Sequence, residues 1–92
     1  MDAPNVGQLD SVLGALADPT RRGLFMKIIA TPGLTTSELA ARTTTITRWG
    51  VMKHLDALRA AGLVQTMTDG RLRRHYAELA TLEPLHVWLR DL

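Results

Sequence analysis

The stretch that decides the fold is residues 35–74, which read TTSELAARTTTITRWGVMKHLDALRAAGLVQTMTDGRLRR. It opens with a threonine followed three positions later by a glutamate, the pattern of a capping box at the start of a helix. Thr35 and Glu38 therefore predict a short helix over residues 36–42. The run of threonines after it is interpreted as a turn.

A longer helix is predicted after this turn, over residues 48–61. Val51, Leu55 and Leu58 recur four and three residues apart, which places their side chains on one face of a helix. Gly62 should end the helix, because glycine readily adopts the left-handed conformation that follows many helix C-termini.

A β-hairpin is predicted next, over residues 63–79, with Asp69-Gly70 as its tight turn. This dipeptide suits the positive backbone angles of such a turn. The two strands are predicted at residues 63–68 and 72–78. A helix-turn-helix over residues 36–61 followed at once by a hairpin is the winged helix-turn-helix arrangement.

Three further helices are predicted outside this stretch. The first spans residues 6–17, the second starts at Asp18-Pro19, and the last spans residues 81–92, each with apolar residues at helical spacing. The fold class is therefore mainly α, a winged helix-turn-helix of five helices with one β-hairpin wing before the last helix. We expect a single domain over residues 1–92, because two cores would each be too small.

The composition excludes several classes of protein. The chain has 92 residues, of which 46% are hydrophobic and 22% charged, as in ordinary folded domains. It has no cysteine, which excludes disulfides and thiolate metal sites. No apolar run approaches the roughly 20 residues that cross a bilayer, and residues 1–20 lack the Lys or Arg that opens a secretory signal. We therefore expect no membrane partner and a cytoplasmic location.

The charge is distributed unevenly. Residues 42–75 carry seven basic residues and two acids, a net charge of +5, whereas the rest of the chain carries −3. Such a concentration of positive charge indicates a surface for a polyanion, most often nucleic acid. The alternative is a basic face that is only solvated.

One face of the helix over residues 48–61 has the residue types of a DNA-reading surface. The residues that lie away from the Leu55 side of the helix are Arg48, Trp49, Met52, Lys53 and Asp56. A basic side chain can bond the acceptor edge of guanine, and Trp or Met can pack on a thymine methyl. Alternatively, Trp49 and Met52 are partly buried core residues.

The hairpin adds arginines that could reach a minor groove or its phosphates. Alternatively, they place charge on an exposed strand edge, which discourages pairing with other chains. The predicted DNA-contacting residues are Thr36, Ser37, Thr45, Thr47, Arg48, Trp49, Met52, Lys53, Arg71, Arg73 and Arg74.

Several ordered motifs resemble the ArsR/SmtB family of bacterial transcriptional repressors. They are LADPTRR at residues 16–22, ELA at 38–40, KHL at 53–55, AGLV at 61–64, and Gly70-Arg71 with Tyr76. The resemblance covers about residues 9–92 and implies a homodimer joined through the first and last helices, with the fourth helix in the major groove of an operator. The predicted dimer contacts are Leu9, Val12, Leu13, Leu16, Leu82, Leu85, Trp88 and Leu89.

Two positions depart from the family pattern. Met52 stands where the family usually has the serine of a Ser-x-His-Leu motif, which removes a hydroxyl contact. In the family, the residue two places after the strand tyrosine, here Tyr76, is usually apolar, whereas this chain has Glu78. We therefore expect a bulge or a shifted register at the exit of the hairpin.

No catalytic motif is present, so we predict neither enzymatic activity nor a cofactor. A Gly-rich phosphate loop, His-Glu-x-x-His and Gly-x-Ser-x-Gly are all missing. Family members bind metals at the last helix, and Glu83 and His86 are spaced for shared coordination, but without the family's cysteine pair we predict no metal. His54 is expected to be structural, and His75 to lie on the wing against phosphate or nothing.

The sequence therefore predicts a sequence-specific DNA-binding transcriptional regulator, a dimeric repressor that occludes a promoter. Its partner would be a double-stranded operator with an inverted repeat. The alternative is a winged-helix module that binds protein through the same basic face and has only non-specific DNA affinity. An unknown small-molecule effector is left open.

Overall fold

The computed structural model describes the backbone of residues 4–92 and the side chains of residues 7–92. Within this part of the chain there are five α-helices, one 3-10 helix and three β-strands. The helices are α1 (Pro4–Ala17), α2 (Pro19–Ala30), α3 (Thr36–Ala41), α4 (Arg48–Ala60) and α5 (Glu83–Arg90). The strands are β1 (Leu34–Thr35), β2 (Val64–Asp69) and β3 (Leu72–Ala77). The predicted winged helix-turn-helix is confirmed, although residues 1–3 of the predicted domain lie outside the described residues.

The helix starts follow the sequence signals. The Asp18 carboxylate accepts the Arg21 backbone N–H at 2.9 Å at the start of α2, and this hydrogen bond lowers the pKa of Asp18. At α3, the Thr35 hydroxyl accepts the Glu38 N–H at 3.1 Å, and the Glu38 carboxylate accepts the Thr35 N–H at 2.9 Å. These two bonds complete the predicted capping box. The hydrogen bond from the Thr35 backbone N–H, followed by that from the Thr35 side chain, lowers the pKa of the Glu38 carboxyl.

Two arginines of α2 cap the preceding helix. Arg21 Nε donates to the Ala15 carbonyl at 2.6 Å, and an Arg22 guanidinium nitrogen donates to the Leu16 carbonyl at 2.6 Å. Cations are favourable there because the last carbonyls of a helix carry partial negative charge. The carbonyls at the end of α1 therefore account for two arginines near the start of α2, where the dipole of α2 itself disfavours cations.

The three strands form one antiparallel sheet in the order β1-β3-β2. Strand β1 was not predicted, because its two residues form a strand only through pairing with β3, Leu34 opposite His75 and Thr35 opposite Arg74. The β2–β3 pairing runs without offset from Val64–Ala77 to Asp69–Leu72. The expectation of a bulge or a register shift at Glu78 is therefore wrong. The Glu78 N–H instead bonds the Leu63 carbonyl at 2.8 Å.

The hairpin turn lies one residue later than predicted. Asp69 still pairs with Leu72, so the two turn residues are Gly70 and Arg71. Gly70 has φ +63, and no residue other than glycine has a positive φ in the described chain. Glycine at the first central position is the arrangement of a type II′ turn, which matches the twist of the strands.

The last helix is shorter than the prediction of 81–92. A 3-10 helix, Leu79–Leu82, precedes α5, which starts at Glu83 with Pro84 in its first turn. The Thr81 hydroxyl donates to the Gly62 carbonyl at 2.6 Å and so joins this segment to the end of α4. No helix within residues 4–92 has the length and hydropathy of a membrane span.

The core lies between α1, α2, α3, α4 and the inner face of the sheet. Its largest fully buried apolar side chains are Val12, Leu24, Ile28, Leu39, Val51, Leu55, Leu58 and Leu63. Three of them form the predicted apolar face of α4. Because that face is buried, the opposite face of α4 remains on the surface.

Candidate nucleic-acid interface

The exposed face of α4 carries four of the residues that were predicted to contact DNA, Arg48, Trp49, Met52 and Lys53. The Thr47 hydroxyl caps the helix by accepting the Gly50 N–H at 3.1 Å. Trp49 is 67% exposed and Met52 is 45% exposed. Neither residue belongs to the hydrophobic core or to the apolar residues that pack against it, which favours the surface interpretation over the core alternative.

Two contacts organise this face. The Lys53 ammonium lies 4.7 Å from the centroid of the Trp49 ring, a cation–π arrangement that holds the two side chains together. A guanidinium nitrogen of Arg48 donates to the Ser37 hydroxyl at 2.9 Å and links the start of α4 to α3. The Lys53 ammonium, the Trp49 ring and the Arg48 guanidinium therefore all belong to this face.

The arginines of the hairpin, which we call the wing (residues 64–77), have two different environments. Arg71 and Arg73 are exposed. Arg74 is tied down, because its Nε donates to the Asp69 carboxylate at 2.9 Å and another nitrogen donates to the Gly33 carbonyl at 3.0 Å. The hydrogen bond that Arg74 donates to the Asp69 carboxylate raises the pKa of Arg74. Arg74 therefore braces the wing against the loop before β1.

The hydroxyl side chains that were predicted to contact DNA also have two different environments. The side chains of Ser37, Thr45 and Thr47 lie at the surface near the turn between α3 and α4. Thr36 is half-buried, and its hydroxyl shares a hydrogen bond of 2.8 Å with His75 Nε2. The structure thus brings Arg48, Met52 and Arg73 around one crevice between α4 and the wing. It turns the Thr36 hydroxyl toward His75.

His75 is a functional candidate that the sequence analysis placed wrongly. Its side chain is fully buried, and its two ring nitrogens bond the hydroxyls of Thr36 and Thr66 at 2.8 Å each. Burial, with the nearby charges of Arg59 and Arg73, lowers the pKa of His75 to about 4. The imidazole is therefore neutral near neutral pH, and it links α3 to β2 from its place on β3. Strand alternation from the buried Val64 could have identified this inward face.

The residues considered as metal ligands do not gather further partners. Within the described residues, no three His, Asp or Glu side chains lie close enough to hold a metal ion. His86 is exposed on α5, and His54 is half-buried on α4. The prediction that metal plays no part therefore stays a prediction.

The predicted dimer contacts lie on α1, α5 and the 3-10 helix, and α1 packs beside α5. Leu13, Trp88 and Leu89 are between 42% and 53% exposed, whereas Leu16, Leu82 and Leu85 pack partly against the core. Val12 is fully buried within the protomer, so it has no surface left for a partner. We therefore correct its assignment from dimer contact to core residue.

Comparisons with known proteins agree with this geometry. Residues 16–66 match the family model described as a helix-turn-helix domain. The chain is 38% identical to the protein called uncharacterized HTH-type transcriptional regulator YuzN of Bacillus subtilis (strain 168). The match extends over 72 residues and covers 73% of this chain and 78% of that protein.

Solved structures of ArsR-type regulators have the same fold. An ArsR-like transcriptional regulator from Rhodococcus sp. RHA1 superposes with a TM-score of 0.86 at 32% identity, over 97% of this chain and 83% of that chain. The crystal structure of an ArsR family transcriptional regulator superposes with a TM-score of 0.81 at 33% identity, over 92% of this chain and 86% of that chain. Sequence and structure thus agree, and the chain belongs to the ArsR family of winged helix-turn-helix transcriptional regulators.

Proposed function

We propose that this regulator is a dimeric repressor that binds a specific operator through α4 and the wing and occludes a promoter. The observation that carries the proposal is the division of α4 into two faces. Val51, Leu55 and Leu58 are buried, whereas Trp49 and Met52 are exposed beside Lys53. Large apolar side chains such as Trp and Met are usually buried to a large extent. Their exposure on a basic helix face therefore favours a binding role.

The dimensions of α4 suit the major groove of B-form DNA. Its 13 residues span about 20 Å, and such a helix fits a groove about 12 Å wide. Arg48 and Lys53 would bond guanine acceptors, while Trp49 or Met52 would pack on thymine methyl groups. The wing would anchor the complex through Arg71 and Arg73, whose contacts to phosphate carry no base preference.

The second protomer would cover the exposed apolar surface of α1 and α5. Leu13, Trp88 and Leu89 form this surface with the outer parts of Leu9 and Leu85. A two-fold dimer would present two α4 helices to successive major grooves about 34 Å apart, so the operator would be an inverted repeat.

A small-molecule effector is a further expectation, and one cavity has the volume for it. This cavity has about 600 Å³ and lies between α1, the end of α4 and the start of α5. Gln8, Ser11, Thr81 and Glu83 supply polar groups to its wall. Its position beside the proposed dimer surface would allow a ligand to alter the arrangement of the two protomers.

The test is selection of bound genomic fragments, followed by a salt titration of binding to the selected fragment and to random DNA. We expect specific affinity at least about a thousandfold above non-specific affinity, and a selected sequence with two-fold symmetry. Comparably weak binding to both DNAs would favour the module that binds protein through this face.

A further inference from the structure

A crevice of about 110 Å³ lies where α4 faces the wing, and its lining combines predicted DNA contacts with charged and polar side chains that were not among them. One face of α4 forms one wall, the start of β3 forms the other, and His75 lies at its floor. The residues that give it chemical character are Arg48, Met52, Asp56, Arg59, Arg73 and His75.

The crevice has an excess of positive charge. Three guanidinium groups line it, against the single carboxylate of Asp56. Arg59 is held in place, because one nitrogen donates to the Thr66 hydroxyl at 3.1 Å and another bonds the Asp56 carboxylate. Asp56 offsets one of the three positive charges, so two remain for a ligand, and the Arg59 guanidinium keeps N–H donors beyond these two bonds.

The floor of the crevice is polar but carries no charge of its own. Both nitrogens of His75 already bond threonine hydroxyls, so the ring is fixed and cannot turn toward a ligand. The charges of Arg59 and Arg73 act on this ring strongly enough to help lower its pKa. The positive potential of the two arginines therefore extends to the bottom of the crevice.

We propose that this crevice binds a single phosphate-type oxyanion, and that in the DNA complex this anion is a phosphate of the backbone beside the groove that α4 contacts. The second part rests on the proposed function. The volume is below the roughly 300 Å³ of typical organic-ligand pockets, and guanidinium groups are suited to paired hydrogen bonds with phosphate oxygens. The proposal adds Arg59 to the DNA-contacting residues.

The anion site itself is tested with inorganic sulfate on the full chain. The His75 ring and the Arg59 side-chain N–H are followed by NMR while sulfate replaces chloride at constant ionic strength. We expect saturable shifts of both signals. Sulfate affinity should fall about tenfold or more in Arg73→Gln and in Arg59→Gln, because each loses a charge-assisted hydrogen bond.

The matched control is Arg71→Gln, which removes an exposed arginine of the hairpin turn, two residues before Arg73 and outside the crevice, and should leave sulfate affinity unchanged. Asp56→Asn should raise the affinity, since it removes the competing carboxylate. Absence of saturable shifts, or equal affinities in Arg73→Gln and Arg71→Gln, would overturn the anion site. Because Arg73 is exposed, its substitution should leave the fold intact.

The DNA part is tested by adding the selected operator and following the same two signals. We expect them to shift, and Arg59→Gln to lower the salt slope by about one unit on operator and random DNA alike. If the operator is bound but the crevice signals respond to sulfate alone, the ligand is a free anion and the DNA assignment is wrong. If sulfate binds as expected but no operator is found, the proposed function fails and the anion site stands.

Discussion

The guanidinium of Arg74 donates a hydrogen bond of 3.0 Å to the carbonyl of Gly33, 41 residues earlier in the chain. A second nitrogen of the same side chain bonds Asp69 across the hairpin. Arg74 thus joins both strands of the wing to the loop in front of the helix-turn-helix. Its neighbour Arg73 points to the other face of β3 and lines the crevice beside α4.

Arg74→Ala should lower the free energy of unfolding, because it removes two hydrogen bonds that join β3 to the end of β2 and to the loop before β1. Arg71→Ala is the control, since that side chain lies exposed at the turn. Urea unfolding followed by circular dichroism measures both variants. Equal stabilities of the two variants would contradict the bracing role of Arg74.

Lys53→Ala should weaken operator binding by roughly 1–3 kcal/mol and relax base preference at one or two positions in each half-site. Arg73→Ala should instead weaken operator and random DNA alike and reduce the salt slope by about one unit. Titrations of both DNAs at several salt concentrations separate the two effects. A change of base preference in Arg73→Ala, with a uniform loss in Lys53→Ala, would reverse the assignment of α4 and the wing.

Leu89→Glu and Leu13→Glu should each shift the protein from dimer to monomer, because each places a charge in the exposed apolar surface of α5 or α1. Met26→Glu provides the control, since Met26 is an exposed apolar residue on α2, outside that surface. Analytical ultracentrifugation at micromolar concentration measures the three variants. A monomer for the unsubstituted chain would refute the proposed dimer.

The stability of the protein should depend on pH through His75. Its pKa is lowered from 6.5 to about 4 in the fold, so between these values the unfolded chain takes up a proton that the folded chain does not. As the pH falls from about 7 to 4, the free energy of unfolding should decrease by about 3 kcal/mol from this group, with little further loss below pH 4.

His75→Gln should remove most of this pH dependence, since the glutamine amide can bond a threonine but does not titrate. His86→Gln is the control, because His86 is exposed on α5. Unfolding curves from pH 4 to 7 compare the three proteins. The same pH dependence in His75→Gln and in the unsubstituted protein would show that His75 is not the responsible group.

Sequence patterns predicted those features whose causes are local. The Thr35–Glu38 capping box lies within four residues, and the buried face of α4 follows from the spacing of Val51, Leu55 and Leu58. Such patterns act through the nearest turns of the chain, so they can be recognised without the rest of the fold.

Features that depend on distant partners were missed. His75 looked exposed because it follows three arginines, and its burial requires Thr36, which is 39 residues away. Strand β1 is too short to be recognised without β3. The crevice, likewise, exists only because the register of the wing places Arg73 opposite α4.

The bonds from Arg21 and Arg22 to the last carbonyls of α1 have a consequence for operator choice. They fix the angle between α1 and α2 with side chains instead of a rigid linker. In the proposed dimer joined through α1 and α5, this angle would set how far apart the two α4 helices lie. The number of base pairs tolerated between half-sites would then be decided at the α1–α2 junction, which lies outside the predicted DNA-contacting residues.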